Sequence, residues 1–277
     1  MDNLNLQYIN NYAVQLVADR VWAVDEFGAD ICYVVEGTKK ALVIDTGYGF
    51  GNLRGTVDQI TKLPYEVVNT HGHMDHVCGN GQFETTYMNP RDSFLITPEY
   101  IGKRWAKSCE KMRKEPGFTG GNSVNPEIVP KVLQPNPLEE YQIFDLGGRR
   151  LEVLYTPGHT PGSSVLLDAD NRILFAGDTV VSTPILIFDE YSTTVEEYLE
   201  GLKKLWEREK EFDLIVSGHY LRPIGKQYLC DLIQCARSIL DGTGMAESID
   251  FSHMSDEPAV LYRYGKASIA CSDGHIR

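Results

Sequence analysis

Within six residues the chain carries three imidazoles and one carboxylate, His71-Gly72-His73-Met74-Asp75-His76. Neutral imidazole and carboxylate are good ligands for zinc and related divalent ions, and a tight turn can bring them onto one or two ions. Gly72 lets the backbone turn sharply between ligands. Three more candidates stand far along the chain. His159 lies in Tyr155-Thr156-Pro157-Gly158-His159-Thr160-Pro161-Gly162, where two Pro-Gly turns bracket the imidazole. Asp178 closes Ile173-Leu174-Phe175-Ala176-Gly177-Asp178, and His219 closes Leu214-Ile215-Val216-Ser217-Gly218-His219. Five of the seven histidines thus lie just beyond strand or loop ends, where side chains converge without disturbing a core. The other two, His253 and His275, have no such setting and read as surface or core residues.

The elements that must position these groups are legible as short β-rich runs at 21–24, 31–35, 41–44, 66–69, 150–155, 164–167, 173–175 and 213–216, several ending in Gly, His or Asp. Helical spacing is clearest in Val195, Tyr198, Leu199, Leu202, Leu205 and Trp206, behind a capping box at Thr193/Glu196 or Thr194/Glu197. Further helices are expected near 52–62, over 226–240, and over 98–114 with Ile101, Trp105, Cys109 and Met112 along one stripe. Residues 115–137, rich in Gly, Pro and Asn, read as a long irregular loop. Each half of the chain runs through meandering strands, a strand ending in an acid, then a helix. That pattern predicts two mixed sheets packed face to face with helices on the outer faces, an α/β (α+β) architecture in one domain of residues 1–277.

Taken together, HxHxDH, a lone His in GHTPG, Asp in AGD and His in SGH resemble the metallo-β-lactamase superfamily, over about residues 22–220. Asp45-Thr46-Gly47 after its strand is similar to the family's first motif, in which the Asp supports the site without ligating. The resemblance implies a four-layer αββα sandwich with the site at one edge between the sheets. It implies one metal ion held by His71, His73 and His159, a second by Asp75, His76 and His219, and Asp178 bridging both. Zinc is the expected divalent ion, with iron or manganese as alternatives. The implied nucleophile is a hydroxide between the two ions, with Asp75 orienting it or passing a proton to the leaving group. Asp75 and Asp178 are accordingly the expected catalytic carboxylates.

Departures within the family narrow the substrate. True β-lactamases of the superfamily lack an aspartate at the bridging position, and flavodiiron oxidoreductases place Glu where His73 stands. Ribonuclease Z-like members need basic surface for RNA, against 26 basic and 39 acidic residues and a net charge of −13. Lactonases carry a Tyr soon after the bridging Asp, where this chain has Val180-Val181-Ser182-Thr183. Glutathione-thioester hydrolases carry a basic cluster in a C-terminal helical part, whereas 259–264 and 267–272 are strand-like here. The expectation is a metal-dependent hydrolase of a small ester, thioester or lactone. Three alternatives are a small phosphodiesterase, a mononuclear iron persulfide dioxygenase, and a metal-binding protein without turnover.

Weaker signals complete the pattern. Thr46-Gly47-Tyr48-Gly49-Phe50-Gly51 is GxGxG and not the dinucleotide fingerprint, and reads as a tight, mobile loop at the edge of the site. Tyr48 and Tyr220 flank ligand motifs and can donate to a substrate oxygen. Lys103, Arg104, Lys107, Lys111, Arg113 and Lys114 make the 98–114 helix basic in an acidic chain. It is either a solvated face or, with the loop, a lid over about 91–140 that offers Lys103, Arg104 and Lys107 to an anionic substrate. Whether this helix also builds a homodimer stays open. Composition excludes other classes. Of 277 residues 42% are apolar, and the six cysteines, Cys32, Cys78, Cys109, Cys230, Cys235 and Cys271, lack CxxC spacing and read as free thiols. No apolar run is long enough to cross a bilayer and no secretory leader marks the start, so a cytoplasmic enzyme with a small-molecule substrate, and neither nucleic acid nor membrane as partner, is expected.

Overall fold

The computed structural model describes residues 6–115, 117–131, 133–188, 190–250 and 257–277. His253 lies outside the described residues. A first sheet of eight strands runs in sequence order: β1 (Leu6–Ile9), β2 (Tyr12–Ala18), β3 (Val21–Asp25), β4 (Ile31–Glu36), β5 (Ala41–Ile44), β6 (Tyr65–Val68), β7 (Thr86–Met88) and β8 (Asn136–Pro137). It is antiparallel from β1 to β5 and parallel from β5 to β8. The second sheet contains β9 (Ile143–Asp145), β10 (Arg150–Tyr155), β11 (Ser164–Asp168) and β12 (Ile173–Phe175), followed by β14 (Leu214–Val216) and β15 (Ile224–Gly225). A third, smaller sheet joins β13 (Ile185–Ile187) to β18 (Ala267–Cys271), β17 (Val260–Tyr264) and β16 (Ala246–Ser248).

Period-two patterning explains the layers. Ala23, Tyr33, Leu42, Ile44 and Val68 of the first sheet meet Leu151, Val153, Leu166, Phe175 and Val216 of the second in one buried cluster. Their strand neighbours Val24, Val34, Val43 and Val67 point the other way, onto Leu53 and Val57 of α1 (Leu53–Ile60). On the second sheet Leu154, Val165, Leu174 and Ile215 face outward, against α4 (Val195–Glu207) and α5 (Gln227–Leu240). Helix, sheet, sheet and helix thus form the expected four layers, with the third sheet added beside α5.

The helices follow their end signals. Thr194 Oγ1 accepts from Glu197 N at 3.2 Å, so the second of the two capping registers holds. Trp206, placed on the buried stripe by its spacing, is 40% exposed, because it stands at the edge of a stripe already filled by Tyr198, Leu202 and Leu205. Helix α3 (Pro98–Lys114) is capped by Thr97, whose hydroxyl accepts from Tyr100 N at 3.1 Å, and stops just before Pro116. Its stripe of Ile101, Trp105, Cys109 and Met112 is buried against Tyr48, Met74 and Cys78. A short helix, α2 (Met74–Val77), carries the second half of the HxHxDH motif.

Candidate metal centre

The site forms where the C-terminal ends of four strands meet at one edge between the sheets, the usual place for ligands in sheets with parallel pairs. β12 and β14 are parallel neighbours with Phe175 opposite Val216, so Asp178 and His219, each three residues on, emerge side by side. β5 and β6 are likewise parallel, with Ile44 opposite Val68, which sets Asp45 beside the loop that leads into His71. His159 enters from the turn between β10 and β11.

All seven candidate ligands converge. Donor atoms of His71, His73 and His159, of His71, His76 and Asp178, and of Asp75, His76 and His219 lie within 4.8 Å of one another in each group. Asp178 is central: its carboxylate lies 3.6 Å from His76 Nε2, 3.5 Å from His159 Nε2 and 3.2 Å from His219 Nε2. Asp75 Oδ2 stands 3.7 Å from His219 Nε2 and 3.9 Å from His76 Nε2. Two of these groups have the same members as the two expected ligand sets, and the third joins Asp178 to His71 and His76.

Surrounding groups fix which ring nitrogen faces inward. His76 Nδ1 donates to Asp45 Oδ2 at 3.0 Å, His159 Nδ1 to Leu186 O at 2.9 Å, and His219 Nδ1 to Ala29 O at 3.0 Å. Each Nε2 is thereby turned toward Asp178, and that of His219 is hydrogen-bonded to it at 3.2 Å. Nε2 of His76 and of His159 and Oδ1 of Asp178 are buried with no hydrogen-bond partner. Buried polar atoms left without partners are costly, and a cation among them would complete the set. His71 Nε2 and His73 Nδ1 stand 3.1 Å apart, another pair that a cation can bridge. The donor set therefore fits divalent metal.

Electrostatics divide the cluster. Burial, reinforced by the neighbouring imidazoles His76 and His73, holds His71 well below the usual imidazole range, and burial with His159 beside it pushes His73 down to about 3. Both are neutral, the ligating form. Burial opposes charge on His76 and His219 also, but the carboxylates Asp45, Asp75 and Asp178 outweigh it around His76 and Asp178 and Asp75 around His219, so both shift upward. Asp178 lies well below the carboxylate range because His219 and His76 overcome its burial.

Residues outside the motifs hold the loops in place. Asp45, buried at φ +62, accepts from Thr70 N at 2.7 Å and from Thr70 Oγ1 at 2.8 Å, besides His76. Asp92 is buried between two ligand loops: it accepts from Gly72 N at 2.8 Å, Thr160 Oγ1 at 2.7 Å and Gly162 N at 2.6 Å. Nothing in its sequence setting, Pro90-Arg91-Asp92, announces that role. Glu26, also buried, accepts from Tyr48 N at 2.6 Å and Phe50 N at 2.7 Å, and so anchors the GxGxG loop, which is as tight as expected, with Gly47 and Gly49 at φ +71 and +76.

Above the cluster opens a cavity of about 810 Å³, within the range of small-molecule sites. Tyr48 and Tyr220 both line it: Tyr48 is nearly buried at 9% exposure, whereas Tyr220 stands at the mouth, 58% exposed. Val181, Pro184, Ile185 and Leu186 form an apolar wall, and α3 presents Tyr100, Arg104, Lys107, Ser108 and Lys111 on another. Lys103 is corrected by this geometry: it turns away from the cavity and pairs with Glu99 at 2.6 Å, because the buried stripe sets the helix phase and leaves position 103 on the outer side. Lys111 takes its place. Tyr191, absent from the expected set, packs edge-on against His73 with ring centres 4.5 Å apart.

A four-layer αββα sandwich with a buried His/Asp cluster at its strand ends and an open cavity above is the class of fold and candidate site that this chain presents. Residues 29–219 match the family model of the metallo-beta-lactamase superfamily, most of whose members are hydrolases, and the chain belongs to that superfamily. Relatives include the acyl-coenzyme A thioesterase MBLAC2 of Gallus gallus, 29% identical over 202 residues that cover 68% of this chain and 71% of that one. The probable polyketide biosynthesis zinc-dependent hydrolase PksB of Bacillus subtilis is 22% identical over 190 residues, covering 68% and 72%. Among solved structures, a double mutant of the sec-alkyl sulfatase PisA1 is similar in fold at TM-score 0.65 and 15% identity, covering 84% of this chain and 43% of that one. This chain thus spans less than half of the alkyl sulfatase's length. The metallo-beta-lactamase family protein TTHA1429 of Thermus thermophilus has TM-score 0.58 and 18% identity, covering 82% of each chain.

Proposed function

We propose that the protein is a dinuclear metallohydrolase that cleaves a thioester of a small carboxylic acid, with zinc as its ion. The carrying observation is the set of three imidazoles whose Nδ1 atoms are engaged elsewhere and whose Nε2 atoms converge on Asp178. His71, His73 and His159 would hold one ion, Asp75, His76 and His219 the other, and Asp178 both. When bound, such ions supply Lewis acidity and water acidic enough to ionise near neutral pH.

The chain's own groups supply the rest. Asp75 keeps one carboxylate oxygen beside His219 and His76, and the other can hold a proton and deliver it to the leaving sulfur. Both Tyr48 and Tyr220 line the cavity, where the Tyr48 hydroxyl would donate to the substrate's carbonyl oxygen and Tyr220 would contact the substrate at the mouth. Val181, Pro184, Ile185 and Leu186 receive the acyl group and keep water from it. A thioester is favoured by the thioesterase relative, and a lactone is disfavoured by the absence of a Tyr within 179–183.

Elemental analysis of protein expressed in metal-replete medium should find close to two ions per chain, and a thiol-trapping assay should show metal-dependent hydrolysis of small acyl thioesters. One iron per chain with persulfide oxidation and no thioester turnover would replace this reading by the dioxygenase. Metal without turnover of any of these substrates would leave only metal binding.

A further inference from the structure

We propose that Arg104, Lys107 and Lys111 form a subsite for a ligand with several phosphates, which places a phosphorylated thiol on the leaving-group side of the substrate; this rests on the thioester reading above. The cations of α3 are not equivalent. Lys103 pairs with Glu99 and Lys114 with Glu110, each one turn away, and Arg113 donates to Val124 O at 2.7 Å. Arg104 stacks on the Tyr100 ring and pairs with the exposed Glu190. Lys107 and Lys111, both lining the cavity, have no ion pair or hydrogen bond among the described residues. Two like charges one helical turn apart repel. An anion lying between them removes that repulsion.

The spacing distinguishes the kind of anion. From Arg104 to Lys111 is seven residues, or roughly 10 Å along a helix axis, longer than a single carboxylate can bridge. Phosphates several bonds apart match it. The strip is bounded by acids: Glu115 follows Lys111 by one turn, and Asp25 and Asp30 line the same cavity, which confines an anion to the 104–111 face. The cavity's other wall, Val181, Pro184, Ile185 and Leu186, is apolar and suits the acyl group, so the charged end of the substrate is the thiol. In occupying the strip the ligand competes with Glu190 for Arg104, exchanging an exposed ion pair for a phosphate contact.

The test compares one acyl group on three thiols: N-acetylcysteamine, neutral; glutathione, carrying carboxylates; and coenzyme A, carrying phosphates. The coenzyme A thioester should have a KM lower than the other two by about 10- to 30-fold, weakening with salt. The double variant Lys107→Gln with Lys111→Gln should abolish most of that advantage, and Lys103→Gln with Lys114→Gln, equal in charge removed, should retain it. Calorimetric binding of adenosine 3′,5′-bisphosphate to the metal-loaded protein, lost in the first pair and kept in the second, gives a readout apart from turnover. Equal KM for the three thioesters, or a preference for glutathione, overturns the subsite and leaves the thioester reading standing. A thioester of singly phosphorylated pantetheine as good as that of coenzyme A overturns the claim of several phosphates. Bisphosphate binding confined to intact Lys107 and Lys111, with no thioester hydrolysed, supports the subsite and removes the thioester reading.

Discussion

Asp92→Ala tests whether the two ligand loops are held by one buried carboxylate. The side chain is wholly buried and accepts from Gly72 N, Gly162 N and Thr160 Oγ1. Thr160 retains Ser163 Oγ at 2.9 Å, so truncation strands two amide groups and not three. Each buried, unsatisfied N–H costs about 1–3 kcal/mol. Part of that loss is returned, since burial pushes the Asp92 carboxyl upward and its removal spares the cost of holding a charge there. A net loss of about 2–4 kcal/mol follows, and with about 2–4 °C per kcal/mol for a chain of this size Tm should fall by about 4–16 °C. Because Gly72 stands between His71 and His73, and Gly162 just after His159, metal affinity should weaken about tenfold as well. Thermal unfolding of chelated and zinc-loaded protein, with affinity from a competing chelator dye, measures both. A variant that melts within about 1 °C of the parent and binds metal equally well would refute the clamp.

Three further outcomes are expected. In Gly218→Ala the new Cβ would stand 2.6 Å from His76 Cε1 and 2.7 Å from Asp178 Oδ1, so metal occupancy by elemental analysis should collapse while stability falls by only about 1–3 kcal/mol; full occupancy would show that the site yields freely. Burial pushes the Glu26 carboxyl up to about 7 from 4.5, against the pull of the Tyr48, Phe50 and Gly51 amides. A raised carboxyl binds its proton more tightly when folded, so its contribution is complete below pH 4.5 and lost as pH rises through about 7. Urea midpoints of chelated wild type minus those of Glu26→Gln should decline across that window, and a flat difference would place the proton elsewhere. Finally, zinc at about a thousand times its dissociation constant should stabilise the fold by about 4 kcal/mol, and an unchanged Tm would mean that the cluster does not bind it.

The candidate ligands were legible because metal chemistry demands particular residue types at strand ends, and the convergence of His71, His73, Asp75, His76, His159, Asp178 and His219 can be anticipated without knowing what packs on what. Support through the backbone leaves no such trace. Asp92 and Glu26 act on amide groups of other loops, contacts set by tertiary folding, so neither has a local signature. The basic helix and its apolar stripe were visible, but not which of the flanking cations would line a cavity. The stripe of Ile101, Trp105, Cys109 and Met112 fixes the helix phase by docking on Met74 and Cys78, turning Lys111 inward and Lys103 outward. The strands β1, β2, β7, β8, β9, β13, β15 and β16 are absent from the sequence reading; all but β2 have four residues or fewer, too few to show a period, and β2 interrupts its apolar run with Gln15.

The parallel strands β7 and β8 lie side by side, yet the chain between them runs from Met88 to Asn136 and includes all of α3. The candidate metal ligands come from several dispersed turns, none of which lies within α3. Inheritance can therefore treat the two parts differently. A point change among the ligand turns disturbs a centre assembled from remote pieces, whereas α3 can be rewritten as one continuous paragraph of sequence, entering and leaving the sheet at fixed, adjacent points. Its inner stripe packs on Tyr48, Met74 and Cys78, while Arg104 and Arg113 reach Glu190 and Val124 O beside it. Changes at the cavity-facing positions 107 and 111 would therefore alter what the cavity admits while leaving those anchors and the strand-end cluster in place.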